Sequence, residues 1–366
     1  MNLPEDTYVP ALRWRQGEYQ ALFRLSASIK DHVVPFITIP PVEFNFELWQ
    51  PSKSVHEHVH PFVVSLHRKW GSRPAWIALD PTIAAARMDN GSHVFEYIFD
   101  GIRPLGCFGI PSLPLSSDAA AIEAVSHAVE KDNQGAAINI RLEDLMVPDP
   151  QVPILDLVKR IGVGVEEVDL ILDLQAPNFQ PYDAFATALI TSFSRMESLM
   201  NFRNFVLIGT AFPETSTSYS KGTDEIPRHD WLFYKALVDQ LPKSLRRPNF
   251  GDHTIVHPAF TAMDMRKVKP AGKVIYTKPD AWATRKGGSF RDDREQMHDH
   301  CRIIVDDPEF AFRGANFSYG DKFISDCANE IAGPSNLSRW KDVGINHHIT
   351  TVVDDLANFC ATTSPV

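Results

Sequence analysis

The sequence predicts an α/β fold, a TIM-like (β/α)₈ barrel followed by a C-terminal α+β extension. Eight short apolar runs occur before residue 258, and helical periodicity follows most of them. Strands that alternate with helices in this way close into a parallel barrel, whose sites lie at the carboxyl ends of the strands. The runs cover residues 8–13, 33–39, 75–80, 106–110, 136–141, 168–173, 204–210 and 253–257.

The first elements have glycine and proline at their boundaries. The first run leads through Gly17 into a helical stretch, and the second stops at Pro40 and Pro41. Because proline cannot donate to a sheet, these strand ends are predicted to be irregular. Residues 43–53 then form a long loop, the kind of segment in which barrel sites are built. The helices predicted up to this loop and just after it cover residues 18–25 and 55–70.

The later elements have clearer boundaries. Asp118 closes an N-cap cluster before a helix, and Gly135 precedes the next strand. The polar stretch at 214–224 is typical of a lid or binding loop. Further predicted helices cover residues 118–130 and 182–200. In the extension we predict strands at 273–277 and 281–285 and helices at 293–305, 318–330 and 349–359.

The length of 366 residues fits one barrel with an added segment. A barrel commonly needs about 250 residues, and the βα pattern stops after Pro258. We therefore predict a barrel over residues 1–260 and an extension over 261–366 that packs against it.

Composition narrows the class of protein. A net charge of −10 disfavours bulk nucleic-acid binding, which depends on clustered Lys and Arg. No run approaches the roughly 20 apolar residues that a membrane-spanning helix needs, and the acidic start does not resemble a secretory signal. Cys107, Cys301, Cys327 and Cys360 have no Cys-x-x-Cys spacing, which favours reduced thiols. We expect a cytoplasmic protein without a membrane partner.

The alternation of side chains along each run predicts which residues face the barrel interior. In the sixth run the leucines share one face and pack on the helices, so Asp173 and Gln175 point inward near the carboxyl end. The same count places further polar residues at this end: Arg13 and Arg15, Asp80, Asn139 and Arg141, and His257.

These side chains allow two interpretations. A buried carboxylate needs a partner, and Arg141 opposite Asp173 would supply one and could simply close the top of the barrel. Alternatively, Arg141 with Arg13 or Arg15 clamps a phosphate or carboxylate, while an aspartate acts as base or metal ligand. Residue type alone does not choose between a base and a ligand.

The enzyme hypothesis is a hydrolase or lyase acting on a small anionic ligand. The predicted ligand-binding residues are Arg13, Arg15, Arg141, Gln175 and His347. The predicted acid–base or metal-ligating residues are Asp80, Asp173 and Asp252, with His257 or His347 as proton shuttle.

Metal motifs are weak. His56 and His60 lie one helical turn apart, as two metal ligands on one helix face would. However, they lie in a predicted outer helix and lack the order of a zinc-protease motif. No motif specifies a cofactor, so a divalent metal remains an open possibility.

Four separated stretches carry a family resemblance. Together they resemble the family called Beta protein, which was named from phage and is also found in bacterial genomes. The resemblance implies a place beside phage-defence and mobile-element genes, and hence a defence role, but no catalytic residues. It also implies an acid on the second strand where this chain has Thr38, so chemistry that needs this acid would be altered. The stretches are YVPALRWRQGE at 8–18, IPRHDW at 226–231, FGDH at 250–253 and WKDVGINHH at 340–348.

The alternative to an enzyme is a non-catalytic scaffold of a phage-defence or phage system. In this interpretation the extension, or the polar loop at 214–224, contacts a protein partner. Aromatic residues are common at interface hot spots, although most aromatic residues belong to cores. Those that support it lie outside the barrel pattern: Trp282, Phe310, Phe312, Phe317, Tyr319 and Trp340.

Overall fold

A computed structural model describes residues 1–259 and 268–363. In chain order its strands are β1 (Val9–Arg13), β2 (Phe36–Ile39), β3 (Phe44–Asn45), β4 (Gln50–Pro51), β5 (Pro74–Leu79), β6 (Phe108–Pro114), β7 (Ala136–Arg141), β8 (Val168–Asp173), β9 (Asn204–Gly209), β10 (Gly222–Pro227), β11 (Asn249–Asp252), β12 (Ala271–Thr277) and β13 (Ala281–Ser289). The α-helices are α1 (Gln16–Phe23), α2 (Ala27–Lys30), α3 (Val55–Trp70), α4 (Val94–Ile102), α5 (Ala119–Asp132), α6 (Gln151–Ile161), α7 (Tyr182–Ser194), α8 (His229–Gln240), α9 (Gln296–Asp306), α10 (Tyr319–Ala328) and α11 (Leu337–Thr363).

The predicted barrel is confirmed. Eight parallel strands close in the order β1-β11-β9-β8-β7-β6-β5-β2, and helices lie between them in the sequence. Side-chain caps define where the outer helices begin. Ser54 and Glu57 form a capping box at α3, and Asp118 accepts the backbone N–H of Ala121 at α5.

The eighth strand lies earlier than the sequence suggested. We predicted residues 253–257, but β11 is Asn249–Asp252, which pairs with β9 and β1. β11 has only one large apolar residue, Phe250, so it lacks the hydrophobic run that we used to locate strands. The apolar residues after it form a turn, in which Thr254 has a φ of 58°.

Three other predicted boundaries are corrected. The predicted loop at 43–53 contains the β3–β4 hairpin, and the polar stretch at 214–224 runs into β10, which pairs with β13. β3 and β4 have only two residues each, and β10 has one large apolar residue, Ile226, so none of the three carries a hydrophobic alternation. The last helix begins at Leu337, twelve residues before the predicted start at 349, and is buried on several sides.

The predicted alternation along the strands is present. In β8, Leu170 and Leu172 pack with the outer helices, whereas Ile171 lies in the interior of the barrel. The interior also holds Val9, Ala11, Phe36, Trp76, Ala78, Ile110, Ala137, Val206 and Ile208. It is therefore a packed core rather than a channel.

Asp169 closes the amino end of this core. Its buried carboxylate accepts two hydrogen bonds from Arg203, at 2.8 and 2.7 Å. It also accepts hydrogen bonds from the Trp76 indole at 2.7 Å and the Asn204 amide at 2.6 Å. Four donors satisfy one charge, which is the condition for burying it.

The extension forms a second layer on the barrel. β10, β13 and β12 make an antiparallel sheet, and α9 and α10 pack around a small core with it. α11 packs against α1 and β12. Its Ile345, Ile349 and Val352 belong to the same hydrophobic core as the barrel helices.

Two properties of the described residues bear on the chemistry of the chain. All four cysteines are buried free thiols. No helix among residues 1–259 and 268–363 combines the length and the apolar character needed to cross a bilayer. The cytoplasmic location stays a prediction.

Candidate functional site at the carboxyl end of the barrel

A cavity of about 410 Å³ opens at the carboxyl ends of the barrel strands. This is the end at which barrel proteins place their sites. The barrel strands contribute Arg13, Thr38, Asp80, Asn139, Arg141 and Asp173 to its lining. The segments that follow them contribute Glu18, Glu143, Asp144, Gln175, His253 and His257.

Asp173, at the end of β8, is the most strongly held carboxylate of the cavity. Its Oδ1 accepts a hydrogen bond from the Gln175 backbone at 2.9 Å and lies 3.0 Å from His253 Nε2. Its Oδ2 accepts hydrogen bonds from Arg141 Nη1 at 3.2 Å and from the Gln175 amide. Burial raises the pKa of Asp173, but His253 and Arg141 outweigh it and hold the pKa below its ordinary value.

His253 was not among the predicted site residues. Its side chain is 13% exposed and lies directly after β11. We had placed it at the start of a strand, far from the carboxyl end, and the FGDH motif was its only signal. His257, which we had predicted, also lines the cavity, and burial lowers its pKa.

Arg13 and Glu18 form the wall beneath the extension. Glu18 is 2% exposed; its Oε2 accepts the Arg13 backbone N–H, and its Oε1 lies 2.8 Å from Lys341 Nζ of α11. The Arg13 guanidinium donates to the Pro258 carbonyl. The extension therefore supplies a cation that helps to balance a buried carboxylate of the cavity.

The remaining predicted residues at this end differ in their contacts. The Asp80 carboxylate accepts hydrogen bonds from the Thr82 backbone at 3.0 Å and hydroxyl at 2.7 Å, a local turn at the end of β5. The Arg141 side chain is 40% exposed, so it can turn toward a ligand. Arg15 precedes α1 and does not line the cavity that the described residues form.

Asp252 and His347 lie away from the cavity. Asp252 is fully buried between the barrel and α11, and it accepts hydrogen bonds from the Tyr8 hydroxyl and from His348 Nε2 at 2.9 Å. His347 is also fully buried, with its Nδ1 2.8 Å from Asp321 and its Nε2 2.9 Å from the Thr277 carbonyl. We predicted roles for both residues because a sequence shows residue type but not burial. Neither residue lines the cavity, so neither can contact a ligand there directly.

Arg228 makes a second buried contact between barrel and extension, and Asp230 lies two residues after it. Arg228 Nη1 donates to Asp355 of α11 at 2.8 Å and to the carbonyls of Lys278 and Pro279 at 3.2 and 3.0 Å. Asp230 lies in the first turn of α8 and is 2% exposed. We call the set Tyr8, Arg228, Asp230, Asp252 and His348 the joint.

The family model for Beta protein matches residues 8–354. The chain belongs to the Beta protein family. The structure shows what the family stretches do in this Beta protein: each of the four contributes a residue to the joint. The same stretches also supply Arg13 and His253, which line the cavity, and Lys341, which pairs with Glu18 of its lining.

Solved structures resemble this Beta protein only remotely. Alanine racemase from Clostridium difficile 630, in complex with cycloserine, is 9% identical over 75% of this chain, with a TM-score of 0.33. The chain covers 59% of that racemase. The C-terminal domain of a putative chitinase from Desulfitobacterium hafniense DCB-2 is 11% identical over 96% of this chain and 99% of its own, with a TM-score of 0.28. No curated protein matches the chain.

The two histidines singled out in the sequence as possible metal ligands contact other side chains of the protein. His60 Nδ1 lies 2.6 Å from the Tyr97 hydroxyl, and the rings of His56 and His60 stack at 5.8 Å. Among the described residues no group of three or more His, Cys, Asp or Glu is arranged to hold a metal ion. Thr38, the position at which the resemblance implied an acid, lines the cavity.

Proposed function

We propose that this protein binds a small anionic ligand, bearing phosphate or carboxylate, in the cavity at the carboxyl end of the barrel. The observation that carries the proposal is the joining of Arg141, Asp173 and His253 in one solvent-open cavity. Arg141 and Arg13 are the groups for the anion, since guanidinium pairs well with both oxyanions.

We further propose that His253 and Asp173 act together as the acid–base pair of a hydrolase or lyase. A carboxylate bonded to one imidazole nitrogen orients the ring and stabilises its protonated form. His253 Nδ1 has no hydrogen-bond partner within the described residues, so it can exchange a proton with a ligand. The defence role implied by the family stays a prediction.

The test is titration of the purified protein with inorganic phosphate and with succinate, followed by NMR. We expect Arg141→Ala to weaken binding of the preferred anion about tenfold, because one charge-assisted contact is worth about 1.4 kcal/mol. We expect Asp173→Asn to preserve or tighten binding, since it removes a negative charge beside the anion.

The matched controls are Arg160→Ala and Asp156→Asn on α6, whose side chains are 45% and 64% exposed. Both should bind as the wild type does. Absence of anion binding, or equal affinities in Arg141→Ala and Arg160→Ala, would contradict the proposal.

The second candidate is a scaffold, favoured by the tip of the β3–β4 hairpin. Leu48 and Trp49 are 64% and 79% exposed there, next to Phe44. Exposed aromatic side chains of this kind are common anchors for a protein partner. Loss of a partner by Trp49→Ser, without loss of anion binding, would support this function instead.

A further inference from the structure

The joint contains a buried carboxylate without a hydrogen-bond partner. Neither Asp230 oxygen has one among the described residues, although both are shielded from solvent. The Nε and Nη2 atoms of the fully buried Arg228 are also unpaired there. An ionised carboxylate in such surroundings costs several kcal/mol, so it favours a bound proton.

The groups around Asp230 add charge of both signs. Asp252 of β11 and Asp355 of α11 are the acids, Arg228 is the cation, and His348 of α11 lies beyond Asp252. The remaining titratable neighbours are Tyr8 before β1, Tyr182 of α7 and Tyr234 of α8. Arg228 is already bonded to Asp355, so it cannot fully balance two further carboxylates.

We propose that Asp230 is a buried proton-binding site that controls how firmly the extension is held on the barrel. With the proton bound, there is one fewer negative charge beside Asp252 and Arg228, the two joint residues that bond to α11. When the proton leaves, Asp230 and Asp252 repel each other although both are buried, and the cavity that Asp230 lines holds about 10 Å³, room for at most one water.

The direction of the pH dependence follows from the pKa. Burial raises the pKa of Asp230 to about 7, and Asp252 adds to the rise. Arg228 opposes it, as do the N–H groups at the start of α8, which approach without hydrogen-bond geometry. The pKa of Asp230 in the folded protein exceeds the ordinary value of 3.8. The stabilisation that the bound proton gives to the packing of the extension is therefore complete below about pH 4 and is lost as the pH rises to about 7.

The joint and the cavity are connected by adjacent residues of the chain. Asp252 is held by Tyr8 and His348, and the next residue, His253, contacts Asp173. A change in how α11 packs on the barrel would therefore move the segment that carries His253. The inference itself does not depend on the proposed ligand, because it concerns how the extension is held.

The test is backbone hydrogen exchange of the full chain at pH 5.5 and 8.5, after correction for the intrinsic effect of pH. We expect exchange of α11 amides to become about tenfold faster at pH 8.5, as for one pKa unit or more of linkage. Amides of β7 should change little, because that strand does not contact the joint. Asp230→Asn should remove the pH dependence.

The matched control is Asp239→Asn, an exposed aspartate on the same helix, which should behave as the wild type. Equal pH dependence in Asp230→Asn and the wild type would overturn the inference. If Asp230→Asn does not fold, the ¹³C carboxyl resonance of Asp230 in the wild type decides. A midpoint near 7 supports a proton-binding site, and one near 4 refutes it.

Discussion

At the scale of single residues, the two buried aspartates of β8 lie at opposite ends of the barrel and differ in their surroundings. Asp169, at the amino end, is enclosed by donors from Arg203, Trp76 and Asn204. Asp173, at the carboxyl end, lines a cavity and pairs with His253 and with Arg141, whose side chain is 40% exposed. The first is suited to stability and the second to binding.

We expect Asp169→Ala to lower the free energy of unfolding by about 3–5 kcal/mol, because it leaves Arg203 as an uncompensated buried charge. Anion binding should be unchanged, since the cavity lies at the other end. Urea unfolding and phosphate titration of the same sample measure both. A loss of binding that exceeds the loss of stability would show that the two ends are coupled.

Lys341 allows a second test at this scale. We expect Lys341→Met to lower the free energy of unfolding by about 1–2 kcal/mol, because the buried Glu18 would lose its ion pair with Lys341. The expected loss is smaller than for a fully buried ion pair, because the Lys341 side chain is 35% exposed and solvent screens its charge. Lys341→Arg should restore most of the loss, and no difference between the two variants would contradict the role of charge.

Single residues also show the limit of prediction from the sequence. Strand alternation correctly predicted Asp173 opposite Arg141, because both lie in continuous apolar runs. It missed His253, because the hydrophobic pattern of β11 is too weak to show where that strand ends. Asp252 and His347 were assigned to chemistry because a sequence reports residue type but not depth.

At the scale of elements, the agreement depends on what covers each strand or helix. β7 and β8 have the predicted bounds, since both faces of these strands are buried and every position is apolar or pairs inside. β10 could not be recognised from the sequence because its hydrogen-bonded partner is β13, which lies some sixty residues later. Pairing over such a distance leaves no local pattern.

The contact between α10 and α11 depends on one small residue. A side chain at Gly320 would place its Cβ within 2.4 Å of the Val343 carbonyl, so the helices would have to separate. We expect Gly320→Ala to lower the free energy of unfolding by about 1–3 kcal/mol. Gly333→Ala, with no atom within 4 Å, is the control. In thermal unfolding, the midpoint of Gly320→Ala should be lower than that of Gly333→Ala. Equal midpoints would exclude a close-packing role for Gly320.

At the scale of the whole molecule, the largest hydrophobic core includes residues of both the barrel helices and the extension. Ile275 and Trp282 of the extension sheet and Ile349 of α11 pack with the barrel helices. The boundary near residue 260 was predicted from the end of the βα pattern, and it stays a prediction about domains. A sequence pattern records where repeats stop but not whether the following segment completes the same core.

We therefore expect the barrel and the extension to unfold together. Calorimetry should give one transition whose van't Hoff enthalpy equals the calorimetric enthalpy. Near-ultraviolet circular dichroism should report the same midpoint. Two separated transitions would indicate that the extension is an independent unit.

The pleat at the end of β11 also constrains how the length of this protein can change. Asp252, the last residue of β11, contacts the joint, and His253, the next residue, lines the cavity, so two adjacent residues face different sites. Adding or deleting one residue there would exchange the two side chains. The β3–β4 hairpin has no such constraint, because its tip faces solvent. Insertions should thus be tolerated near Trp49 and excluded between Asn249 and His253, which makes β11 unsuitable for circular permutation or tagging.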